Sequence, residues 1–345
     1  MRLLIAGGGT GGHLWPALAV AQAFHDEVPD GELLLVGRTG GPEERLVPEA
    51  GFDLRTIRVR GFDRDAWWRN AALPGVIPAA FASGSRLVKE FRPDMVLGVG
   101  GYVMAPALFG ARLRGVPYVL QVSEAEGLAN RFFRSGAAAA CVSFEEDCAT
   151  FKTRATSFTG YPVRQGFRPR TPEVPPRRLL VIGGSQGARR LNRAVWEGLD
   201  QLLSRFTEVL HLHGPQGTEE AAALLRPGYR PMAFNSDIQG LMAEADLVLA
   251  RSGVGTCAEL GAVGLPAILV PGTFGGGHQA KNAARMVAAG AAVVVPDEEL
   301  SSSRILSTLD LLGPTELSSR AAAAARLGRP QAAREIVRTL LQVAA

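Results

Sequence analysis

Residues 1–24 read MRLLIAGGGTGGHLWPALAVAQAF. The apolar start LLIA (3–6) has the pattern of a buried strand, and PALAVAQAF (16–24) has that of a helix. Five glycines lie between them at 7, 8, 9, 11 and 12, where each costs backbone entropy. Such a turn is needed where the chain takes positive φ or where a ligand comes close to the backbone. Gly7, Gly9 and Gly12 satisfy G-x-G-x-x-G at a strand-to-helix junction, so the reading is a phosphate site at a helix N-terminus or a tight structural turn. A dinucleotide would need an acid near the end of the next strand to hold its ribose, but LLLVGR (33–38) ends in Gly37 and Arg38. His13 follows Gly12, where a histidine can activate a hydroxyl, contact an anion or simply cap the helix.

The same alternation continues along the chain: MVLGVG (95–100), YVLQV (118–122), LLVIGG (179–184), VLHLHG (209–214), LVLA (247–250), AILVP (267–271) and AVVVP (292–296). Continuous apolar strands separated by helix-length segments indicate α/β architecture with parallel sheets covered on both faces. YPVRQGFRPRTPEVPPRR (161–178) carries five prolines and reads as a linker. PDMVLGVGGYVMAPALFGARLRGVPYVL (93–120) and ADLVLARSGVGTCAELGAVGLPAILV (245–270) share one pattern of Asp, strand, glycine turn, helix and strand. The expectation is two doubly wound, Rossmann-like domains facing across a cleft: residues 1–160, a linker 161–178, residues 179–315, and C-terminal helices 316–345 packing across the junction.

With 345 residues, 47% hydrophobic and 20% charged, the chain is long enough for two globular cores. Its longest apolar runs, AAAAC (137–141) and AAVVV (291–295), are far short of the roughly 20 residues of a membrane span. The N-terminus lacks a signal-peptide apolar region, which predicts a cytoplasmic protein. Cys141, Cys148 and Cys257 are an odd number without metal-ligand spacing and suit a reducing compartment. A net charge of +4 suits anionic ligands but is no nucleic-acid footprint.

A second glycine turn, GGSQGA (183–188), repeats the strand-to-helix arrangement, so that Ser185, Gln186 and Gly187 can present a hydroxyl and amides to a diphosphate. RSGVGTCAELGAVGLP (251–266) carries one carboxylate, Glu259, in an apolar segment, as a ribose-binding acid or a solvent-facing one. HQAKNA (278–283) places His278, Gln279 and Asn282 together, either to read sugar hydroxyls or as a helix cap. RTIRVRGFDRDAWWR (55–69), with Trp67 and Trp68, runs on to Ile77 and Phe81; it suits shallow contact with an anionic bilayer or packing into the first domain. Asp63 and Asp65 form an Asp-x-Asp triplet without a preceding strand and are read as surface loop, so no metal site is expected.

Taken together, GGGTGGHLWPALAVA, PDMVLGVGGYVMAP, GLANR (127–131), GYPVR (160–164), GGSQGARRLN (183–192), RSGVGTCAELGAVGLPAILVP and HQAKNA resemble the blocks of the MurG family of glycosyltransferases, in the family's order. The resemblance spans residue 1 to about residue 295. It implies a GT-B fold and metal-free, inverting transfer of N-acetylglucosamine from UDP-N-acetylglucosamine to the muramyl 4-hydroxyl of undecaprenyl-diphosphate-linked muramyl pentapeptide, at the inner face of the cell membrane, with no cofactor. By the same likeness Thr10, Gly11, Gly12, Arg164, Ser185, Gln186, Gly187, Arg251 and Ser252 would bind the donor, Glu259 its ribose, the backbone near Asn235 its uracil, and His278, Gln279 and Asn282 its sugar. His13 and Tyr102 would lie on the acceptor side, with His13 the candidate base and Glu124 or Glu126 either substitutes for it or solvated loop charges. Cell-wall synthesis proteins are expected partners.

The chain departs from the family at LQVSEAE (120–126), where His-Glu-Gln-Asn is usual before GLANR. That change leaves room for another glycolipid acceptor or for a UDP-sugar-binding protein without turnover. An NADP-dependent oxidoreductase using the first loop and Arg38 is the rival from a different enzyme class; it leaves the second loop, Glu259 and HQAKNA unexplained.

Overall fold

The structure is a computed structural model that describes residues 1–9, 11–60, 73–123, 125–184, 187–273 and 277–344, with residues 73 and 74 as backbone only. Thr10, Trp67, Trp68, Ser185 and Gln186, and likewise Asp63, Asp65 and Glu124, lie outside the described residues. The chain forms two compact units, residues 1–165 with 331–345, and residues 166–330.

The first unit holds a seven-stranded sheet built from β1 (Arg2–Gly7), β2 (Glu32–Arg38), β3 (Leu54–Ile57), β4 (Met95–Gly100), β5 (Tyr118–Val122), β6 (Ala139–Val142) and β7 (Thr156–Phe158). Its order is β3-β2-β1-β4-β5-β6-β7 and all pairings are parallel. Leu3 and Ile5 point to one face, where helices Gly11–Glu27 and Ala332–Ala344 cover them, the latter with Ile336, Val337 and Leu340. Leu4 and Ala6 point to the other, under helices Leu73–Phe91 and Met104–Leu113. Those two helices touch closely because Gly84 lies against the Pro106 backbone and Gly110 against Ser85.

The second unit holds β8 (Arg178–Ile182), β9 (Glu208–Leu212), β10 (Tyr229–Met232), β11 (Leu247–Ala250), β12 (Ala267–Leu269) and β13 (Ala292–Val294) in the order β10-β9-β8-β11-β12-β13, again all parallel. In each sheet the order reverses beside the unit's first strand, next to β4 in one and β11 in the other. The loops leaving the carboxyl ends of these strand pairs form the crevice where doubly wound sheets bind ligands.

The proline-rich stretch divides between the units. Tyr161 Oη donates to the Gly12 carbonyl at 2.9 Å and Gln165 Nε2 to Asp26 at 2.6 Å, which binds residues 161–165 to the first unit. Beyond them the chain is stapled to the second unit by Asp246, 3% exposed, which accepts from Arg170 Nη2 (2.7 Å) and from the amides of Glu173, Arg177 and Arg178 (2.9–3.1 Å). The C-terminal helices divide too: Pro314–Leu327 packs on Val254–Val263 of the second unit, and Ala332–Ala344 returns to the first. No helix among the described residues is long and apolar enough to cross a membrane.

Candidate active site

In the first unit, helix Gly11–Glu27 starts where β1 ends, and His13 is in its first turn. The His13 ring lies against the turn after β4. A Cβ on Gly100 (φ +112°) would come within 2.5 Å of His13 Cδ2, and one on Gly101 (φ +73°) within 3.2 Å of Nδ1. Two glycines at the switch point thus make the slot that the ring occupies. Tyr102, next in that turn, has its Oη 3.4 Å from where a Cβ on Gly9 would be, and accepts from Arg38 Nη1 at 3.3 Å. His13, Tyr102, Arg38 and the glycine loop therefore share one place at the carboxyl end of the first sheet. The first four amides of a helix have no intrahelical partner and carry partial positive charge, so Gly11 and Gly12 bring an anion-attracting end to this place.

Pro16 lies inside that helix and has no N–H to donate to the carbonyl four residues earlier, which belongs to Gly12. The Tyr161 hydroxyl fills that role. Arg164, three residues on, stacks its guanidinium 4.1 Å over the Trp15 ring.

In the second unit the loop after β8 turns at Gly184 (φ +90°) and Gly187 (φ +77°), closed by Gly187 N–H to Gly184 O at 2.9 Å. A Cβ on Gly187 would run into the His213 carbonyl, so the loop is seated on the end of β9. That seat is held by a buried chain of hydrogen bonds. Trp196 Nε1 donates to Tyr229 Oη (2.8 Å), which lies 3.0 Å from His211 Nδ1; His211 Nε2 is 3.1 Å from Asn192 Oδ1; Asn192 Nδ2 donates to the His213 carbonyl (2.8 Å). Because the Asn192 amide is a donor at His213, its oxygen must accept, so His211 carries its proton on Nε2 and takes the Tyr229 proton on Nδ1. His211 is fully buried, and this desolvation, with the neighbouring His213 charge second, pushes its pKa down to about 3.

The remaining residues expected to bind the donor are placed as follows. Arg251 is 8% exposed and its guanidinium is bound to Asp297 (2.6 Å) and the Val270 carbonyl (3.1 Å). Ser252, fully buried, donates to the Gln279 carbonyl (2.8 Å) and accepts at its own carbonyl from Asn282 Nδ2 (3.1 Å), while Gln279 Oε1 accepts from Gly272 N–H (2.8 Å). These contacts tie the turn after β11 to helix His278–Ala288, and His278 begins that helix partly exposed. Glu259 sits half-buried on helix Val254–Val263. Asn235 Oδ1 accepts from the Asp237 amide (2.8 Å) and shapes the turn beyond β10. Burial raises the thiol pKa of Cys257 to about 12 and of Cys141 to about 11, and keeps both unreactive. Among the described residues no three metal-ligating side chains converge.

Some of these residues were not singled out from sequence: Asn192, His211, Asp246 and Asp297. The signal for His211 was present in VLHLHG, where two histidines share one face of an otherwise apolar strand.

Residues 3–141 match the glycosyltransferase family 28 N-terminal domain and residues 178–336 the family 28 C-terminal domain. The chain belongs to the MurG glycosyltransferases of family 28. A Moorella thermoacetica relative, 37% identical over 99% of both chains, is named UDP-N-acetylglucosamine--N-acetylmuramyl-(pentapeptide) pyrophosphoryl-undecaprenol N-acetylglucosamine transferase; one from Syntrophotalea carbinolica with the same name is also 37% identical over 99% of both. MurG of Acinetobacter baumannii is a structural neighbour with a TM-score of 0.78, 26% identity and 99% coverage of both chains. The calicheamicin glycosyltransferase CalG4, at 18% identity and a TM-score of 0.72, shares the fold. The two parallel sheets of this family 28 chain are those of the GT-B fold, and the chain is a glycosyltransferase.

The oxidoreductase alternative fails on the family match, and the first loop gives a local reason. In a dinucleotide fold the second glycine of the fingerprint lets the pyrophosphate approach. Here the corresponding residue, Gly9, donates its amide to the carboxylate of Glu43.

Proposed function

We propose that the protein transfers N-acetylglucosamine from UDP-N-acetylglucosamine to the muramyl 4-hydroxyl of undecaprenyl-diphosphate-linked muramyl pentapeptide, with inversion. The observation that carries this is 37% identity over essentially the whole chain to relatives bearing that transferase name, through both domains. The arrangement of each unit supports it: a histidine against a glycine turn in one, a glycine loop at a helix start in the other.

In this reading His13 accepts the proton of the 4-hydroxyl as its oxygen attacks the anomeric carbon on the face opposite the diphosphate. The bond from that carbon to the UDP oxygen breaks, and the electron pair leaves with UDP. The negative charge gathering on the diphosphate is met by the 183–188 loop, by helix-end amides including those of Gly11 and Gly12, and by Arg164. Glu259 takes the ribose hydroxyls, and the turn at Asn235 the uracil. His278 faces the sugar, while Gln279 and Asn282 hold the turn after β11 in place. Tyr102 orients the acceptor beside His13.

We also assign a peripheral position on the inner face of the cell membrane, where a polyprenyl acceptor resides. Ile77 is 44% exposed on helix Leu73–Phe91 and suits that contact. Phe81 is committed elsewhere, with its ring edge-on to Phe109 at 5.0 Å.

A second acceptor remains a reading with its own observation. Gln121, in LQVSEAE, is fully buried at the end of β5 with its amide on Ser123 Oγ (3.2 Å) and Ser143 Oγ (3.0 Å). The test is UDP release from UDP-N-acetylglucosamine with and without a soluble lipid-linked muramyl pentapeptide analogue, with UDP-N-acetylgalactosamine as control. Release that needs both the acceptor and the gluco epimer supports the transferase; donor binding without acceptor-dependent release transfers support to another acceptor or to a binding protein.

A further inference from the structure

Glu43 is 1% exposed, although it opens helix Glu43–Glu49 directly after the polar turn that follows β2. Its Oε1 accepts the Gly9 amide, and its Oε2 is buried without a hydrogen-bond partner among the described residues. Two loops close around the carboxylate. A Cβ on Gly8 would run into Oε1, one on Gly41 into Oε2, and one on Gly37 would come within 2.8 Å of Glu43 Cβ. Gly8 and Gly41 therefore leave the room that the carboxylate fills, and Gly8 takes a φ of +146° at that point. A buried carboxylate with one oxygen unpartnered is costly, and a surface turn has cheaper ways to close.

We propose that Glu43 is the positioning residue of the first glycine loop. It reaches from the turn after β2 and holds Gly9, which fixes where helix Gly11–Glu27 begins and so where His13 meets the acceptor. The proposal rests on the transferase reading for its kinetic consequence, and on the loop geometry alone for its structural one.

The test compares Glu43→Ala, Glu43→Gln and Glu43→Asp in the full chain by acceptor kinetics, UDP titration and amide hydrogen exchange. In Glu43→Ala, kcat/KM for the muramyl acceptor falls at least tenfold and exchange over residues 7–13 quickens at least tenfold. UDP still binds at one per chain, and exchange over 179–270 is unchanged. Glu43→Gln, whose amide oxygen can still accept from Gly9, restores the exchange and most of kcat/KM. Glu43→Asp, one methylene short, falls between wild type and Ala, and serves with Gln where Ala does not fold. Wild-type exchange at 7–13 in Glu43→Ala overturns the proposal, as does exchange over 179–270 that quickens as much as that over 7–13, or a Gln variant as impaired as Ala. If the wild type itself shows no acceptor-dependent turnover, the transferase reading fails and the exchange comparison still decides the role of Glu43.

Discussion

The Tyr161 hydroxyl donates to the Gly12 carbonyl at 2.9 Å, the position from which Pro16 has removed the helical amide. Two residues distant in sequence therefore compensate one another at the start of the helix that carries His13. Tyr161→Phe is expected to cost about 1–2 kcal/mol by leaving that carbonyl unpaired. In a Pro16→Ala background the restored amide offsets the loss, so a double-mutant cycle by urea unfolding should show coupling of at least about 0.5 kcal/mol. Strict additivity would deny the compensation.

Gly100→Ala adds a methyl 2.5 Å from His13 Cδ2 at a φ of +112° and must displace the ring. The expected result is a kcat at least about tenfold lower, with UDP still bound at one per chain. Steady-state kinetics alongside calorimetric UDP titration checks this; an unaltered kcat would remove His13 from the reaction.

His211 gives stability a pH dependence with a defined sign. Its pKa is 6.5 in the unfolded chain and about 3 in the fold, so the two states bind protons equally above 6.5. As pH falls from 6.5 towards 3 the unfolded state takes up a proton that the fold refuses, and stability declines by up to about 1.4 kcal/mol per pH unit. His211→Gln should flatten that part of the urea-midpoint profile, and a parallel profile would show that His211 is not its source.

Arg251 and Asp297 form a buried ion pair, 10% and 9% exposed, at 2.6 Å. Arg251→Met leaves the carboxylate buried beside an apolar chain and should cost about 3–5 kcal/mol, whereas Arg251→Met with Asp297→Leu should recover part of it. Chemical denaturation of the two variants beside the wild type distinguishes this from a ligand-contact role, which would weaken UDP binding without destabilising the fold.

Most of the fold was legible where strands are apolar throughout. The runs at 3–6, 33–37, 95–100, 118–122, 179–184, 209–214, 247–250, 267–271 and 292–296 each fall on a strand of the sheets. Four strands escaped notice. β3, β7 and β10 are sheet edges with half-exposed or polar positions, so no buried run marks them, and β6 is AACV, whose alanines suit a helix as well. A histidine directly after a glycine run, and a second glycine turn at 183–188, stand out in the sequence, whereas Tyr102 was indicated by the family resemblance alone. Glu43 was not legible, since a glutamate opening a helix among polar neighbours is what an exposed cap looks like, and only the tertiary approach of the loop after β1 buries it. Arg251 and Asn282 could be read as ligand contacts for the opposite reason: their partners Asp297 and the Ser252 carbonyl lie 46 and 30 residues away.

The return of helix Ala332–Ala344 to the first sheet sets a condition on biosynthesis. Leu3, Ile5 and their neighbours leave the ribosome early, but Ile336, Val337 and Leu340, which cover the same face, come only after residues 166–330 have been made. At about 5–20 residues per second the nascent first sheet waits roughly 10–30 s with that flank uncovered. A chain arrested or cleaved before that helix would keep its second unit whole and yet leave this apolar face of the first sheet uncovered.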